Sequence, residues 1–499
     1  RAEGLQNVPI AVTAVSGESF RASGGNDLRD LSQLAASFSM ATGQSNAMGA
    51  AARIRGIATA ADNPGFEAAV GVFIDGIYRA RPGAALSDLP ELERIEVLRG
   101  PQGTLFGRNT SAGAISIITA QPDFTPGAGL EAGFGLDGLG QAGARAMLNT
   151  PLSDALALRF DGSVRAREGI ITDRISGRQV NDRDRWSARG QALWRMSPTG
   201  SLRIILDGAG SDESCCAAVP IAYGFTQNAI TARLGPAGTP AINPPARVMT
   251  LTPASSGLPA LGPGLPAQPA AEARGYREKT DDRGVSAHVE RSIGAVQFTS
   301  ISAYRDWSAT RNQDPDFNLI DIAYRQGLEV GIRNFTQEMR LQGQAGPVHW
   351  LIGGFYADET LDTTDRVRMG AHANLYANAL TMGATAPLAA IGGPAMGCEL
   401  YDSSAAGEPD SIPSFFYCVS DNPATPLVFD PNPALAGLYL VGHTAGEGQQ
   451  ADYWRLSTRS FSIFTHNEIA LRPALPLTIG ARLSTEPKDL SARPFSLST

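Results

Sequence analysis

The feature that most constrains this chain is a period of two that begins after Pro122 and recurs, segment after segment, to about residue 486. Leu156, Leu158, Phe160, Gly162, Val164 and Ala166 alternate with Ala157, Arg159, Asp161, Ser163, Arg165 and Arg167. Trp186, Ala188, Gly190, Ala192, Trp194 and Met196 stand opposite Arg185, Ser187, Arg189, Gln191 and Arg195. Phe335, Met339 and Leu341 alternate with Thr336, Glu338 and Arg340, and Leu475 to Leu483 repeat the pattern. Side chains of a strand point to alternate faces, so each segment reads as a strand with one apolar and one polar face. Eleven such strands are expected, at roughly 129–136, 141–150, 155–167, 184–196, 201–210, 281–292, 294–306, 331–343, 347–358, 456–471 and 474–486.

Alternation fits a soluble sandwich or a lipid-embedded barrel equally well, but the connections separate them. After even-numbered strands they are short, around Pro151, Ser197-Pro198-Thr199-Gly200, Gly294, Gly346 and Arg472-Pro473. After odd-numbered strands they are long, at 168–183, 211–280, 307–330 and 359–455, with 137–140 the one short exception. A sandwich has no reason to sort loops by strand parity, whereas outer-membrane barrels have short turns at one rim and long loops at the other. The expected class is therefore mainly β, a transmembrane antiparallel barrel.

Composition narrows the field further. With 43% hydrophobic and 18% charged residues the chain has ample material for a core. A formal charge of -8 argues against a nucleic-acid partner. Four cysteines cannot staple 499 residues. No apolar run approaches the ~18–20 residues of a membrane helix, and Arg1-Ala2-Glu3 is not the start of a signal peptide.

Residues 1–122 have a different texture, read as a mixed α/β domain. Val8 to Val15 is a β-branched run, and Leu28, Leu31 and Leu34 suggest a short amphipathic helix. Arg53-Ile54-Arg55-Gly56-Ile57 and Val70 to Tyr78 alternate like strands, the second with the turn dipeptide Asp75-Gly76 inside it. Leu92 to Arg99 forms a strand, Gly100, Gly103 and Gly107 hinge a loop, and Ala114 to Thr119 forms another strand. A glycine loop after a strand invites a phosphate-binding reading, but Arg108-Asn109 stands where a P-loop needs Lys-Ser/Thr. The spacing is not that of a dinucleotide site either.

This segment resembles the plug domain of TonB-dependent outer-membrane receptors. The resemblance is carried by Asn7-Val8-Pro9-Ile10, Arg53-Ile54-Arg55-Gly56, Phe73-Ile74-Asp75-Gly76-Ile77-Tyr78 and Ile95 through Thr119. Asn334 to Leu341, Trp350 to Tyr356 and Thr478 to Arg482 are similar to barrel strands of the same family. The motif residues are Arg53, Gly56, Asp75, Gly76, Arg99, Gly100, Gly103 and Gly107. The resemblance implies a plug at 1–122 inside a barrel formed from 123–499, in the outer membrane of a Gram-negative bacterium. It implies active uptake of a scarce solute, most often an iron–siderophore complex, energised through TonB and its inner-membrane complex. Lipid, TonB and a small ligand are then the partners, with no cofactor and no enzyme activity. A surface receptor that does not transport and a non-functional fragment are the alternatives.

With the plug on the periplasmic side, loops after odd strands face outward, and 211–280 and 359–455 read as a ligand-capturing rim or as low-complexity tails. The family closes its barrel with 22 strands. Eleven strands therefore imply about half a barrel, with the energy-coupling box expected upstream of Arg1 and absent from this chain; such an open form is expected not to insert alone. Cys398 and Cys418 share one outer loop and could form a disulfide or remain free. The adjacent Cys215 and Cys216 could pair with each other or cross to those two. His288, His349, His372, His443 and His466 are scattered singly, and no metal-site spacing occurs. Arg99 and Glu338 are a candidate plug–barrel ion pair.

Overall fold

The computed structural model describes residues 11–43, 45–60, 63–86, 88–135, 140–172, 179–217, 277–313, 322–370, 396–401, 415–420, 448–449, 451–472, 475–493 and 496–497. The motif Asn7 to Ile10, most of the two longest loops, and His372 and His443 lie outside these residues. No described helix is long and apolar enough to cross a membrane.

The first domain is built on a sheet of five strands, β1 (Val12–Ser16), β4 (Val70–Ile74), β5 (Ile77–Arg79), β6 (Leu92–Arg99) and β7 (Gly113–Thr119), in the order β1-β6-β7-β4-β5. Only β4 and β7 run parallel. A separate hairpin pairs β2 (Phe38–Thr42) with β3 (Ala50–Ile54). The Asp75-Gly76 turn read from the sequence is of the primed kind, and the expected strand Arg53–Ile57 stops at Ile54, where Arg55-Gly56 makes a second such turn, all four residues at positive φ. The core between sheet and hairpin contains Leu28, Leu31, Ile54, Ile95, Ile115 and Ile117, all fully buried.

Two local expectations shift. Leu28, Leu31 and Leu34 recur every three residues, which is the 3₁₀ period, and the segment closes as a 3₁₀ turn over Asp30–Gln33. The one α-helix among the described residues, α1 (Gly17–Ala22), starts where the Ser16 hydroxyl accepts from the Ser19 N–H at 3.1 Å.

After a linker, eleven strands follow in order, each paired antiparallel with the next: β8 (Gly127–Phe134), β9 (Ala142–Pro151), β10 (Leu156–Arg167), β11 (Arg183–Ser197), β12 (Gly200–Glu213), β13 (Arg277–Ile293), β14 (Val296–Gln313), β15 (Ala323–Ala345), β16 (Val348–Asp365), β17 (Asp452–Arg472) and β18 (Leu475–Thr485). Lys488–Arg493 continues the pairing of β18 along the upper half of β17, past Pro487. The strand count and the parity of the connections match the sequence reading. β8 and β18 are the edges of the path.

From β12 to β17 the strands are longer than the alternation suggested, mainly toward the long-loop rim. β15 begins at Ala323 where 331 was expected, and β14 ends at Gln313 where 306 was expected. The facing pattern explains the difference. Val285, Tyr304, Phe335, Tyr356 and Phe461 are the last apolar side chains on the outer surface before Arg283, Asp306, Arg333, Asp358 and Arg459. Beyond that line the inner face turns apolar instead, with Trp307, Ala309, Leu328, Val330, Ile332 and Leu361 buried against the first domain. The sheet is thus lipid-type below the line and water-type above it. Below it, Tyr304 to Val296 spans nine residues of β14, the length a tilted strand needs to cross a bilayer, ~9–11.

This boundary makes a quantitative prediction. Met339→Arg, within the apolar band, should destabilise the lipid-folded protein by about 2–4 kcal/mol. Ser308→Arg, above the line, should stay within about 0.5 kcal/mol. Denaturant titration of the protein folded into vesicles reads both, and equal costs would place the boundary elsewhere.

Candidate functional site: the ion-paired interface between plug and wall

A barrel of polar inward side chains has to be filled, and the first domain fills it with charges that match the wall. At the β4–β5 turn, Asp75 is buried. It accepts from the Thr119 N–H (3.0 Å) and hydroxyl (2.8 Å), while its Oδ2 pairs with Arg189 of β11 and lies 3.1 Å from Arg203 of β12. Burial disfavours the charged Asp75, but Arg189, Arg203 and the two Thr119 bonds outweigh it and hold its carboxyl below the usual range. The turn needs a residue with φ near +52° here. Asp tolerates that conformation and supplies the carboxylate at once.

At the end of β5, Arg79 reaches Asp282 (3.3 Å) and Asp207 (3.8 Å), both of which also bind Arg305. Burial and the neighbouring Arg305 push Arg79 down to about 10, against the pull of the two aspartates.

A second cluster lies against β16 and the end of β18. Arg108, in the glycine-hinged loop, pairs with Glu359 (2.7 Å), Glu67 (3.4 Å) and Glu486 (3.5 Å). Arg81 joins Glu359 at 3.6 Å, and Lys488 bridges Glu67 and Glu486 at 3.0 Å each. The Tyr78 ring lies beneath Arg108, and burial raises its hydroxyl to about 12. Gly107 sits at φ +83°, where an L side chain is strained, and a Cβ there would also have to displace the Arg482 guanidinium.

The apex is gripped by backbone as well as charge. The Asn46 and Ala47 N–H groups donate to Glu278 Oε1 (3.1 and 3.0 Å), and the Ser45 hydroxyl donates to its other oxygen. The Asn46 amide donates to Glu213 (3.0 Å), which also pairs with Arg185, and Arg185 in turn reaches Asp27 (3.0 Å). Near the linker, Glu91 pairs with Arg159 (2.7 Å), and the Gln191 amide donates to the Ala120 carbonyl (2.9 Å).

Among the motif residues, Asp75 is a centre of this interface. Gly56, Gly76, Gly100 and Gly107 each sit at positive φ, and Gly103 lies in the same hinged loop without needing one. Arg53 is exposed on β3. Arg99 and Glu338 are not brought together. Arg99 donates to the Ala11 carbonyl (3.3 Å) and the Thr13 hydroxyl (3.1 Å) inside the plug, while Glu338 takes Arg340 two residues along its own strand at 2.5 Å. Cys215 and Cys216 are joined to each other. Cys398 and Cys418 face each other in the backbone ladder of a short hairpin, Met396–Tyr401 with Phe415–Ser420; their side chains lie outside what is described. Sequence reasoning missed Asp27, Arg79, Arg81 and Arg108. Their one signal was charge within a domain otherwise rich in Gly and Ala.

A small domain docked through ion pairs against a long-stranded antiparallel wall is the arrangement of a plugged barrel. Residues 4–114 match the TonB-dependent Receptor Plug Domain family model. The pesticin receptors of Yersinia enterocolitica and Yersinia pestis are 39% identical over 82 residues, 16% of this chain and 11% of theirs. The fold is similar to the ferric yersiniabactin uptake receptor from Yersinia pestis (TM-score 0.64, 14% identity, 97% of this chain and 60% of that one). It is also similar to the pyoverdine outer membrane receptor of Pseudomonas aeruginosa (TM-score 0.59, 12% identity, 99% and 58%). The chain therefore spans about 60% of the length of those structures.

Asp75→Asn would leave two guanidiniums buried without their carboxylate, and it should weaken plug docking by about 3–5 kcal/mol. Arg99→Ala, whose partners lie inside the plug, should change docking by less than about 1 kcal/mol. Protease sensitivity of the plug against urea reads both. The pH dependence has a definite sign. A carboxyl lowered in the folded state stabilises above its unfolded value of about 3.8, and that stability is lost only as pH falls through the lowered value. Docking should thus be unchanged between pH 7 and about 5 and should loosen below about 4; loosening already at pH 6 would contradict this assignment.

Proposed function

We propose that the protein is an outer-membrane receptor that takes up a scarce solute by TonB-energised transport, the solute being a ferric siderophore or similar iron complex. The observation that carries the reading is a plug-family domain seated against the wall by many discrete ion pairs, with a shared apolar layer toward the long-loop rim. A lumen filled in this way admits no solute until the plug shifts. Each charged contact can be broken singly and re-formed with water or a neighbouring group, which suits a device worked by a pulling partner. The iron complex is favoured because the similar solved receptors are described as ferric yersiniabactin, ferric-catecholate and pyoverdine receptors. In this reading the long-loop rim faces outward and captures the ligand, and a Cys398–Cys418 disulfide tethers the outer hairpin. TonB pulls from the periplasm, and the proton-motive force supplies the work.

The test is a receptor-deleted strain carrying a version of this gene completed at both ends, in iron-limited medium. Cells should bind radiolabelled ferric siderophore with or without a protonophore, but should accumulate it only without one. Accumulation that survives collapse of the proton-motive force would overturn the energised mechanism. Growth restored by a different nutrient but not by iron complexes would overturn the assigned solute.

A further inference from the structure

The lipid-type part of the wall's outer face contains a polar cluster. Ser300 and Ser302 on β14 alternate with the buried Ile301 and Ala303, so they share the outward face of Tyr304, inside the apolar band. Gln337 on β15 pairs in register with Ser302 and stands outward between the exposed Phe335 and Met339. All three polar side chains are half-buried. The Ser302 hydroxyl donates to Gln337 Oε1 (2.5 Å), and Gln337 Nε2 donates to the Ser300 hydroxyl (3.0 Å) and the Glu338 carbonyl (3.1 Å). Along the same rows stand Ala287 and Val289 on β13 and Gly354 on β16.

Polar groups at this depth meet hydrocarbon, which satisfies none of them, so they mark sites where protein faces protein. A carbonyl oxygen accepts two bonds, and a hydroxyl both accepts and donates. Gln337 Oε1 therefore has a second acceptor position and Ser300 an O–H to donate, and among the described residues neither is taken up. Small flanking residues let a neighbouring surface approach closely, as they do between membrane helices.

We propose that this face of β14 and β15 is a docking surface for a second copy of this chain, the two standing side by side in the membrane. Copies inserted the same way up are related by an axis along the membrane normal, so the patch has to meet itself. An amide between two hydroxyls can do so, because it presents donors and acceptors together. The water-type surface directly above can do so as well. There Arg283, Asp306, Arg333, Asp358 and Arg459 alternate in sign on successive strands from β13 to β17. A copy turned about that axis can set acid against base, where a patch of one sign would repel. β14 and β15 lie three or more strands from β8 and β18, so whatever pairs with those edges leaves this face uncovered. The proposal uses the outer-membrane placement but not transport, and the two fail separately.

Cysteine cross-linking in outer-membrane vesicles tests it, with the gene completed at both ends. Under a mild oxidant, Ser302→Cys should give a disulfide-linked species of twice the chain mass. Phe160→Cys, exposed on the lipid-type face of β10, should not, and the unsubstituted chain gives the background from native cysteines. Two differently tagged copies expressed together should co-purify in mild detergent. Gln337→Leu, which suits lipid, should cut that co-capture about tenfold, the worth of one or two interfacial hydrogen bonds. Heat-modifiability on a gel reports insertion of each variant independently of pairing. A Ser302→Cys chain that inserts but stays monomeric, a cross-link to a protein of another mass, equal dimer from Phe160→Cys, or co-capture unchanged by Gln337→Leu would each overturn the proposal.

Discussion

Everything in this molecule depends on how a lumen lined with charge is filled. Arg159, Arg185, Arg189, Arg203 and Arg305 point inward from the wall and are nearly fully buried, with Asp161, Asp282, Glu213, Glu278 and Glu359 among them. Charges removed from water need partners at hydrogen-bonding distance or they neutralise. Some are supplied by the wall itself, as Arg305 is to Asp207 and Asp282. Others have to come from the plug, and Asp27, Asp75, Glu91, Arg79, Arg81 and Arg108 are placed to meet them. The plug's sheet and hairpin are therefore a frame for holding charges at set heights along the wall.

The wall answers a second constraint, because one strand serves two solvents. On β14, Tyr304 faces outward in the apolar band, while two residues on Asp306 faces outward into water and Trp307 faces inward onto the plug. The backbone ladder continues unbroken across that line. Only the chemistry of the two faces exchanges, so the upper strands behave as the edge of a soluble β domain whose core is shared with the plug. That shared apolar layer, with Tyr78, Ala80 and Ala84 against Val330, Ile332 and Leu361, gives the ion pairs the low-dielectric setting in which they are strong.

This exchange also decides what could be read from sequence. The band between Val296 and Tyr304 announces itself by alternation, and all eleven strands and the parity of their connections follow from such bands. The extensions at 277–280, 307–313, 323–330 and 359–365 were assigned to loops because their outer faces are polar and their inner faces mix apolar with charged. Nothing in the period distinguishes that from irregular chain. The plug's turns were legible because Asp75-Gly76 is a local signal, set by φ at two adjacent residues. Its ion pairs were not, since Asp75 and Arg189 are 114 residues apart and charge alone names no partner. Arg99 and Glu338 show the failure directly: each found a nearer counterpart, Thr13 across β1 and Arg340 on the same strand face.

The interface is unequal on its two sides. Toward β11–β13, Asp75 and Arg79 are almost wholly enclosed, and Asp75 is further bound to Thr119 at the end of β7, the last strand before the barrel. Toward β16 and β18, Arg108 spreads its charge over three carboxylates at 2.7–3.5 Å, and Lys488 is 38% exposed. Glu67, Glu486 and Lys488 are partly open to solvent, which screens them, and the three carboxylates around Arg108 share its charge. Asp75 is held by two arginines and Thr119 at once, and of those arginines Arg189 also has Asp207 at 3.7 Å. Charge on the β16–β18 side is thus spread over more partners and more solvated ones, whereas on the β11–β13 side the plug sheet and the wall are tied through the enclosed Asp75 carboxylate and Arg79.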